Sequence, residues 1–259
     1  MDLSRFLDFA RQTAWEAGRL TLATFQTSHE TEYKEDASPV TIADRAAEQF
    51  IRRQIETAFP GHAILGEEFG TSQPSGASHR WIIDPIDGTK SFICGVPIYA
   101  VLLALEIEGE ASVGVAHFPA LDEMVSAATG LGCSRNGRAC RVSQKAPLAK
   151  AIVAHADTSS FSRQGEERGA AWDRLRAATY YNAGWCDAYG YALVATGRIE
   201  VMLDPIMNIW DCAPLLPIVR EAGGYFGDWQ GNERIDAGEA LATNALLKDE
   251  VLALLHSGG

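Results

Sequence analysis

The sequence has no apolar run long enough to cross a membrane. Its longest, Val96 to Leu105, ends at Glu106, about half of the ~20 residues a transmembrane helix needs. The start, Met1-Asp2-Leu3-Ser4-Arg5, lacks the basic and then apolar regions of a signal peptide. Cysteine is scarce. Cys94, Cys133, Cys140, Cys186 and Cys212 are odd in number and form no CxxC. A disulfide scaffold and a structural zinc site are therefore excluded, and small buried thiols in a reducing cytoplasm are expected. Basic residues are outnumbered, 22 Lys and Arg against 34 Asp and Glu, for a net charge of −12. No basic face for duplex nucleic acid or an anionic membrane is visible. An acidic chain that handles an anion needs metal ions or helix N-termini to offset its own charge. Internal repeats and low-complexity linkers are missing as well.

What remains is ordinary globular composition: 259 residues, 47% apolar and 22% charged. At about 150 residues per domain this makes one or two domains. Leu3, Phe6, Leu7, Ala10, Ala14 and Ala17 repeat at helical spacing and predict a helix over 3–26. The polar stretch from Thr27 to Pro39 reads as a mobile excursion. A second helix begins near Thr41, where Asp44 stands three residues beyond a threonine in capping-box fashion, and Phe59-Pro60-Gly61 stops it. Strands are expected at 63–66, 80–84, 98–107, 111–118 and 122–128, with turns at Glu108-Gly109-Glu110 and Asn136-Gly137. Near 142–151 the pattern changes to alternating strands (151–155, 180–183, 199–203) and helices (167–178, 187–196, 211–222). Gly223-Gly224 ends the last of these. Strands at 225–226 and 241–243 precede a closing helix, 245–255, capped by Asn244. The expectation is one compact α/β body with an α+β half, residues 1–145, and an α/β half, residues 146–259.

The most informative segment is Trp81-Ile82-Ile83-Asp84-Pro85-Ile86-Asp87-Gly88-Thr89-Lys90-Ser91-Phe92. A buried strand ends at Asp84, and Asp87 follows on a tight turn. Two carboxylates so close repel unless a proton or cation sits between them, and a hard divalent ion with oxygen ligands is the natural solution. Gly88 to Ser91 can open a helical turn whose amides hold a phosphate. Three further carboxylates end a strand or start a helix. Glu67, in Gly66-Glu67-Glu68, reads alone as part of an acidic loop. Asp211, after Trp210, reads alone as a charge at a helix N-terminus. Asp44 reads alone as a cap. In combination they are how a multi-metal site is assembled across a cleft.

These segments, in this order, resemble the inositol monophosphatase family of magnesium-dependent phosphatases. The matching stretches are Thr41 to Glu48, Gly66-Glu67-Glu68, Asp84 to Phe92, Trp210-Asp211-Cys212-Ala213-Pro214 and Glu221 to Gly224. The resemblance implies a layered α-β-α-β-α sandwich and a homodimer. It implies that Glu67, Asp84 and the carbonyl of Ile86 hold one Mg²⁺. Asp84, Asp87 and Asp211 hold a second, and a looser third sits against Glu67. Two such cations bridge phosphate oxygens and polarise the P–O bond, and a metal-bound water attacks in line. Thr89, hydrogen-bonded toward Asp44, orients and deprotonates that water, with Glu67 counted in the same catalytic group. The amides of Gly88 and Thr89 hold the phosphate.

Asp-Gly-Thr-Lys-Ser-Phe with Gly95-Val96-Pro97, Gly184-Trp185-Cys186-Asp187-Ala188-Tyr189-Gly190-Tyr191, and Gly224-Tyr225-Phe226-Gly227-Asp228-Trp229-Gln230-Gly231 resemble the histidinol-phosphatase branch of the family. Met207-Asn208-Ile209-Trp210 stands where that branch often has Lys-Pro before its aromatic-Asp pair. The implied substrate is histidinol phosphate, in histidine biosynthesis, with inositol-1-phosphate or broad sugar-phosphate hydrolysis as the alternative. A cationic substrate wants carboxylates beyond the metal cluster. Asp187 and Asp204 are candidates, with Asp211 shared between metal and substrate. Asp187 also reads as a helix start and Asp204 as a turn before Pro205. A catalytically silent phosphate-binding module is disfavoured because every implied ligand and Thr89 are present.

Overall fold

The computed structural model describes residues 2–27, 32–33 and 39–257. In chain order its elements are α1 (Ser4–Leu22), β1 (Glu32–Tyr33), β2 (Pro39–Val40), α2 (Ile42–Ala58), β3 (Ala63–Gly66), β4 (Gly70–Ser72), β5 (His79–Asp87) and α3 (Thr89–Ile93). Then come β6 (Ala100–Ile107), β7 (Glu110–Phe118), β8 (Glu123–Ala128), β9 (Gly132–Arg135), β10 (Arg138–Ala139), β11 (Ile152–His155), α4 (Thr158–Arg163) and α5 (Glu166–Ala178). The chain closes with β12 (Tyr181–Gly184), α6 (Asp187–Ala195), β13 (Val201–Asp204), α7 (Ile209–Glu221), β14 (Gly224–Gly227), β15 (Ala240–Asn244) and α8 (Lys248–His256).

Beyond the short β1–β2 pair, two sheets carry the fold. One is eight-stranded, in the order β10-β9-β8-β7-β6-β5-β3-β4, and one is five-stranded, β12-β11-β13-β15-β14. Side-chain alternation sets the layers. Val101, Leu103 and Leu105 of β6 pack on α1 and α2, while Ala100 and Leu102 face α6 and α7. Met202 of β13 and Phe226 of β14 close the same middle layer from the other side. Val201 and Leu203 point outward to Phe161 of α4, Leu175 of α5 and Val251 of α8. The result is a helix–sheet–helix–sheet–helix sandwich.

The first sheet is antiparallel except where β3 runs parallel to β5, an exception the alternation of residues does not reveal. Glu108 and Gly109, both at positive φ, turn β6 into β7 as expected. Part of the excursion at 27–39 lies outside the described residues. Within it, Glu32–Tyr33 pairs with Pro39–Val40 as β1 and β2. The closing helix starts later than predicted. Asn244 ends β15, and its Oδ1 accepts the Leu247 N–H, capping a turn ahead of α8. The expectation of buried thiols holds for Cys133, Cys186 and Cys212, whereas Cys94 is exposed and Cys140 half-buried. No helix among the described residues is long and apolar enough to cross a membrane.

Candidate active site

The site begins with an irregularity in β5. Asp84 pairs with Leu102 of β6 and Asp87 with Ala100, so three steps on one strand oppose two on the other. Residues three apart on a regular strand face opposite sides. The extra residue cancels that alternation and turns both carboxylates the same way. Asp84 Oδ1 accepts the Ile86 N–H at 3.0 Å, and Asp87 Oδ2 accepts the Ala188 N–H at 2.9 Å. The second bond ties β5 to the first turn of α6.

Asp211 arrives from α7. The helix begins at Ile209, two residues before the predicted start, with Asn208 as its N-cap and Asp211 in a reciprocal capping box. Asp211 Oδ2 accepts the Asn208 N–H at 2.7 Å. Carboxylate atoms of Asp84, Asp87 and Asp211 lie within 4.8 Å of one another. Burial raises all three above the ordinary carboxylate range, and neighbouring acids raise them further: Glu67, Asp87 and Asp211 act on Asp84, Asp187 and Asp211 on Asp87. For Asp211 the value reaches about 7. Buried acids that repel one another are a donor set for a divalent cation. The residues present fit the expected metal.

Glu67 lines the same cavity but lies outside that cluster of three. It hydrogen-bonds to Asp84. Its loop is held from behind by Glu48 of α2, which is fully buried. Glu48 Oε2 accepts the Glu68 N–H at 2.7 Å, and Oε1 accepts the Phe69 N–H at 3.2 Å and Arg52 Nε at 2.7 Å. A Cβ at Gly66 would sit 2.0 Å from Glu48 Oε1, so glycine is required there. The sequence motif contained Glu48, but its role became visible only in the fold.

After Asp87 the chain turns at Gly88, φ +78°, into α3. A Cβ there would meet Cys186 Sγ at 3.0 Å and Asp187 Oδ2 at 3.2 Å. The Thr89 hydroxyl donates to the Ile86 carbonyl at 3.1 Å. The expected hydrogen bond from Thr89 toward Asp44 is not formed. Asp44 instead completes the capping box of α2: its Oδ2 accepts the Thr41 N–H at 2.8 Å and the Thr41 hydroxyl at 2.6 Å. Its Oδ1 is buried without a partner. Burial, and to a lesser degree Glu67, raise Asp44 to about 6 against the pull of its bonds to Thr41.

The cavity, about 290 Å³, is lined by Glu67, Asp84, Ile86, Asp87, Gly88 and Thr89, and by Lys90, Asp187, Ile206, Asn208, Trp210 and Asp211. Asp187, the first residue of α6, is on its wall. Asp204 is not. Both of its oxygens are turned inward, Oδ1 to the Ala156 N–H at 2.9 Å and Oδ2 to the Tyr191 hydroxyl at 3.1 Å. Strand β13 ends there beneath β11 and α6, which supply those donors, so the expected direct substrate contact by Asp204 is absent. Ile206 and Asn208 were not singled out as site residues. Asn208 and Trp210 belong to the stretch that departs from the histidinol-phosphatase pattern, and with Ile206 they line the cleft.

A layered α/β sandwich whose bulged strand, helix N-terminus and tight turn bring carboxylates to one cleft defines a metal-dependent phosphomonoesterase. The sequence model of the inositol monophosphatase family matches residues 2–258, and the chain belongs to that family. It is 44% identical over 251 residues to a histidinol-phosphatase of Chlorobaculum parvum, covering 96% of each chain. It is 40% identical over 231 residues to a histidinol-phosphatase of Mycobacterium tuberculosis, covering 87% of each. Among solved structures it is similar to the extragenic suppressor protein suhB of Bartonella henselae, with a TM-score of 0.92 and 30% identity over 99% of this chain and 100% of that one.

Proposed function

We propose that this phosphatase is Mg²⁺-dependent and hydrolyses histidinol phosphate to histidinol and phosphate, working in the cytoplasm as a homodimer. The observation that carries the substrate reading is Asp187. It puts a carboxylate on the cleft wall outside the cluster of Asp84, Asp87 and Asp211, where the ammonium and imidazole of histidinol phosphate would meet it. The names of the two relatives above support the same substrate.

Asp84, Asp87 and Asp211 would hold one Mg²⁺, and Glu67, Asp84 and the Ile86 carbonyl a second. A looser third would sit against Glu67. When bound, the ions supply positive charge to the phosphate oxygens and lower the pKa of water. The Ile86 carbonyl accepts from Thr89 yet keeps a second lone pair for such a role. Because the Thr89 hydroxyl spends its hydrogen on Ile86, its oxygen is left as an acceptor for a water proton. Asp44, with one unpartnered oxygen and raised by burial to about 6, would receive that proton near neutral pH by way of Thr89 once the hydroxyl turned from Ile86 toward it. The amides of Gly88 and Thr89, at the turn into α3, would hold the phosphate. Asp204 acts from behind, by fixing Tyr191 and the Ala156 amide.

The test is a comparison of kcat/KM on phosphate esters. Histidinol phosphate should be preferred to inositol-1-phosphate by at least tenfold, only about 1.4 kcal/mol and less than one charge-assisted hydrogen bond can contribute. Asp187→Asn should raise KM for histidinol phosphate and spare glycerol-2-phosphate. Equal turnover of the two natural esters would overturn the substrate assignment in favour of a broad-specificity enzyme. Equal losses of the variant on both substrates would make Asp187 a fold residue.

A further inference from the structure

Two thiols face each other far along the first sheet from the metal-binding loop. Cys133 is the second residue of β9, and Cys140 directly follows β10. The hairpin pairs Arg135 with Arg138 and Ser134 with Ala139, which makes Cys133 and Cys140 the next rung. Cys140 N–H donates to the Cys133 carbonyl at 3.0 Å. The two sulfurs are 3.3 Å apart and share a hydrogen bond. Facing residues of an antiparallel pair have Cα atoms about 4.5–5.5 Å apart, within the roughly 4.4–6.8 Å that a disulfide spans. Closing from 3.3 Å to a bond of about 2.05 Å takes a shift of about 1.3 Å. Strand β10 is the sheet's edge and both its residues are exposed, so no neighbouring strand opposes that shift.

The pair is also chemically asymmetric. Cys140 is half-buried and Cys133 buried. The hydrogen bond shared with Cys133, then Arg135 and Arg198, hold the Cys140 thiol below its ordinary range. The same bond and burial push Cys133 up. An accessible, activated thiol backed by a buried partner suits attack followed by resolution.

We propose that Cys133 and Cys140 form a reversible dithiol–disulfide couple, a modification site separate from the phosphatase cleft, with small-molecule disulfides as its oxidant. The Cys140 thiol releases its proton, and its sulfur attacks one sulfur of RSSR. The first RS⁻ leaves and takes up a proton. Cys133 then releases its proton and attacks the Cys140 sulfur of the mixed disulfide. The second RS⁻ leaves and takes up that proton. Two protein thiols are oxidised to one disulfide, and RSSR is reduced to two RSH. The bond staples a hairpin whose Gly132 N–H donates to Glu221 Oε2 at 2.9 Å. Glu221 is the last residue of α7, at the opposite end from Asp211. Oxidation therefore stiffens the sheet edge without reaching the metal ligands.

The experiment treats the full-length protein with oxidised glutathione, alkylates the remaining thiols and maps the peptides without reduction. The exposed Cys94 is read from its own peptide. The expected product is a Cys133–Cys140 linked peptide that dithiothreitol reverses, with a higher thermal midpoint and kcat changed less than twofold. Cys133→Ser should trap glutathione on Cys140, and Cys140→Ser should leave Cys133 unmodified. Full alkylation of both cysteines after the treatment would overturn the proposal. So would glutathione retained on Cys140 in the unaltered protein. A linked product with a lower midpoint or a severalfold loss of kcat would overturn the separation from the cleft.

Discussion

Asp44 shows how one side chain serves the fold and the chemistry. One of its oxygens closes the capping box of α2, and the other is buried without a partner. Removing the cap alone costs about 1 kcal/mol. Asp44→Ala should therefore lower stability by that order whether or not the residue takes a proton. Rate separates the roles. If Thr89 and Asp44 act on the same proton, Thr89→Val should lower kcat by roughly 10²-fold or more while Mg²⁺ affinity changes less. Asp44→Asn should then act on the same step, and the double variant should be far from additive. An Asp44→Asn protein that keeps its kcat would leave Asp44 as a cap only. The metal ligands predict a larger effect. Asp87→Asn or Asp211→Asn should cost several orders of magnitude in activity with the fold retained. Chelation by EDTA should reproduce the loss, and Mg²⁺ should reverse it in the unaltered enzyme. Full activity in the metal-free protein would reject the assignment.

At the scale of elements, what could be read in the sequence was what is local. The Thr41–Asp44 box, the Phe59-Pro60-Gly61 stop and the turn at Glu108-Gly109 are decided within a few residues, and each falls where expected. The Asp84–Asp87 spacing gave the cluster because its bulge is built into that short stretch. Contacts distant along the chain were hidden. Whether Asp204 faces the cleft depends on Ala156 and Tyr191; the partner of Thr89, by contrast, is local, the Ile86 carbonyl three residues earlier. The support of Glu67 is of the distant kind, because Glu48 on α2 binds amides of Glu68 and Phe69 across the fold. Glu48→Gln should put an amide N–H against Arg52 or a loop N–H and leave donors unpaired. A loss of about 1–3 kcal/mol in stability is expected, with weaker activation by Mg²⁺ as the loop loosens. Chemical denaturation and a Mg²⁺ titration measure the two. Lower stability with unchanged Mg²⁺ dependence would confine Glu48 to the fold.

For the whole molecule, the net charge of −12 and the buried acids make one statement about ions. In the metal-free protein Asp84, Asp87 and Asp211 have raised pKa values, Asp211 from 3.8 to about 7. The folded state then holds protons that the unfolded state has released above pH 4, so these groups lower stability as pH rises from about 4 through 7. His117 does the reverse. Burial lowers it from 6.5 to about 4, and its Nδ1 has no partner. The unfolded chain binds that proton first, so the contribution of His117 is intact above pH 6.5 and is lost as pH falls toward 4. The amount is on the order of 3 kcal/mol. Mg²⁺ acts only on the first group, because it binds ionised carboxylates in place of their protons. At a hundred times its dissociation constant it should add about 2.7 kcal/mol, roughly 5–10 °C for a chain of this size. That gain should appear at pH 8 and shrink at pH 5. With Mg²⁺ saturating at pH 8, acidification should still destabilise the protein below pH 6.5, and His117→Asn should flatten that part of the curve. Thermal unfolding across pH with and without Mg²⁺ measures both slopes. An equal gain from Mg²⁺ at pH 5 and pH 8 would mean that the ion stabilises the protein somewhere other than these three carboxylates.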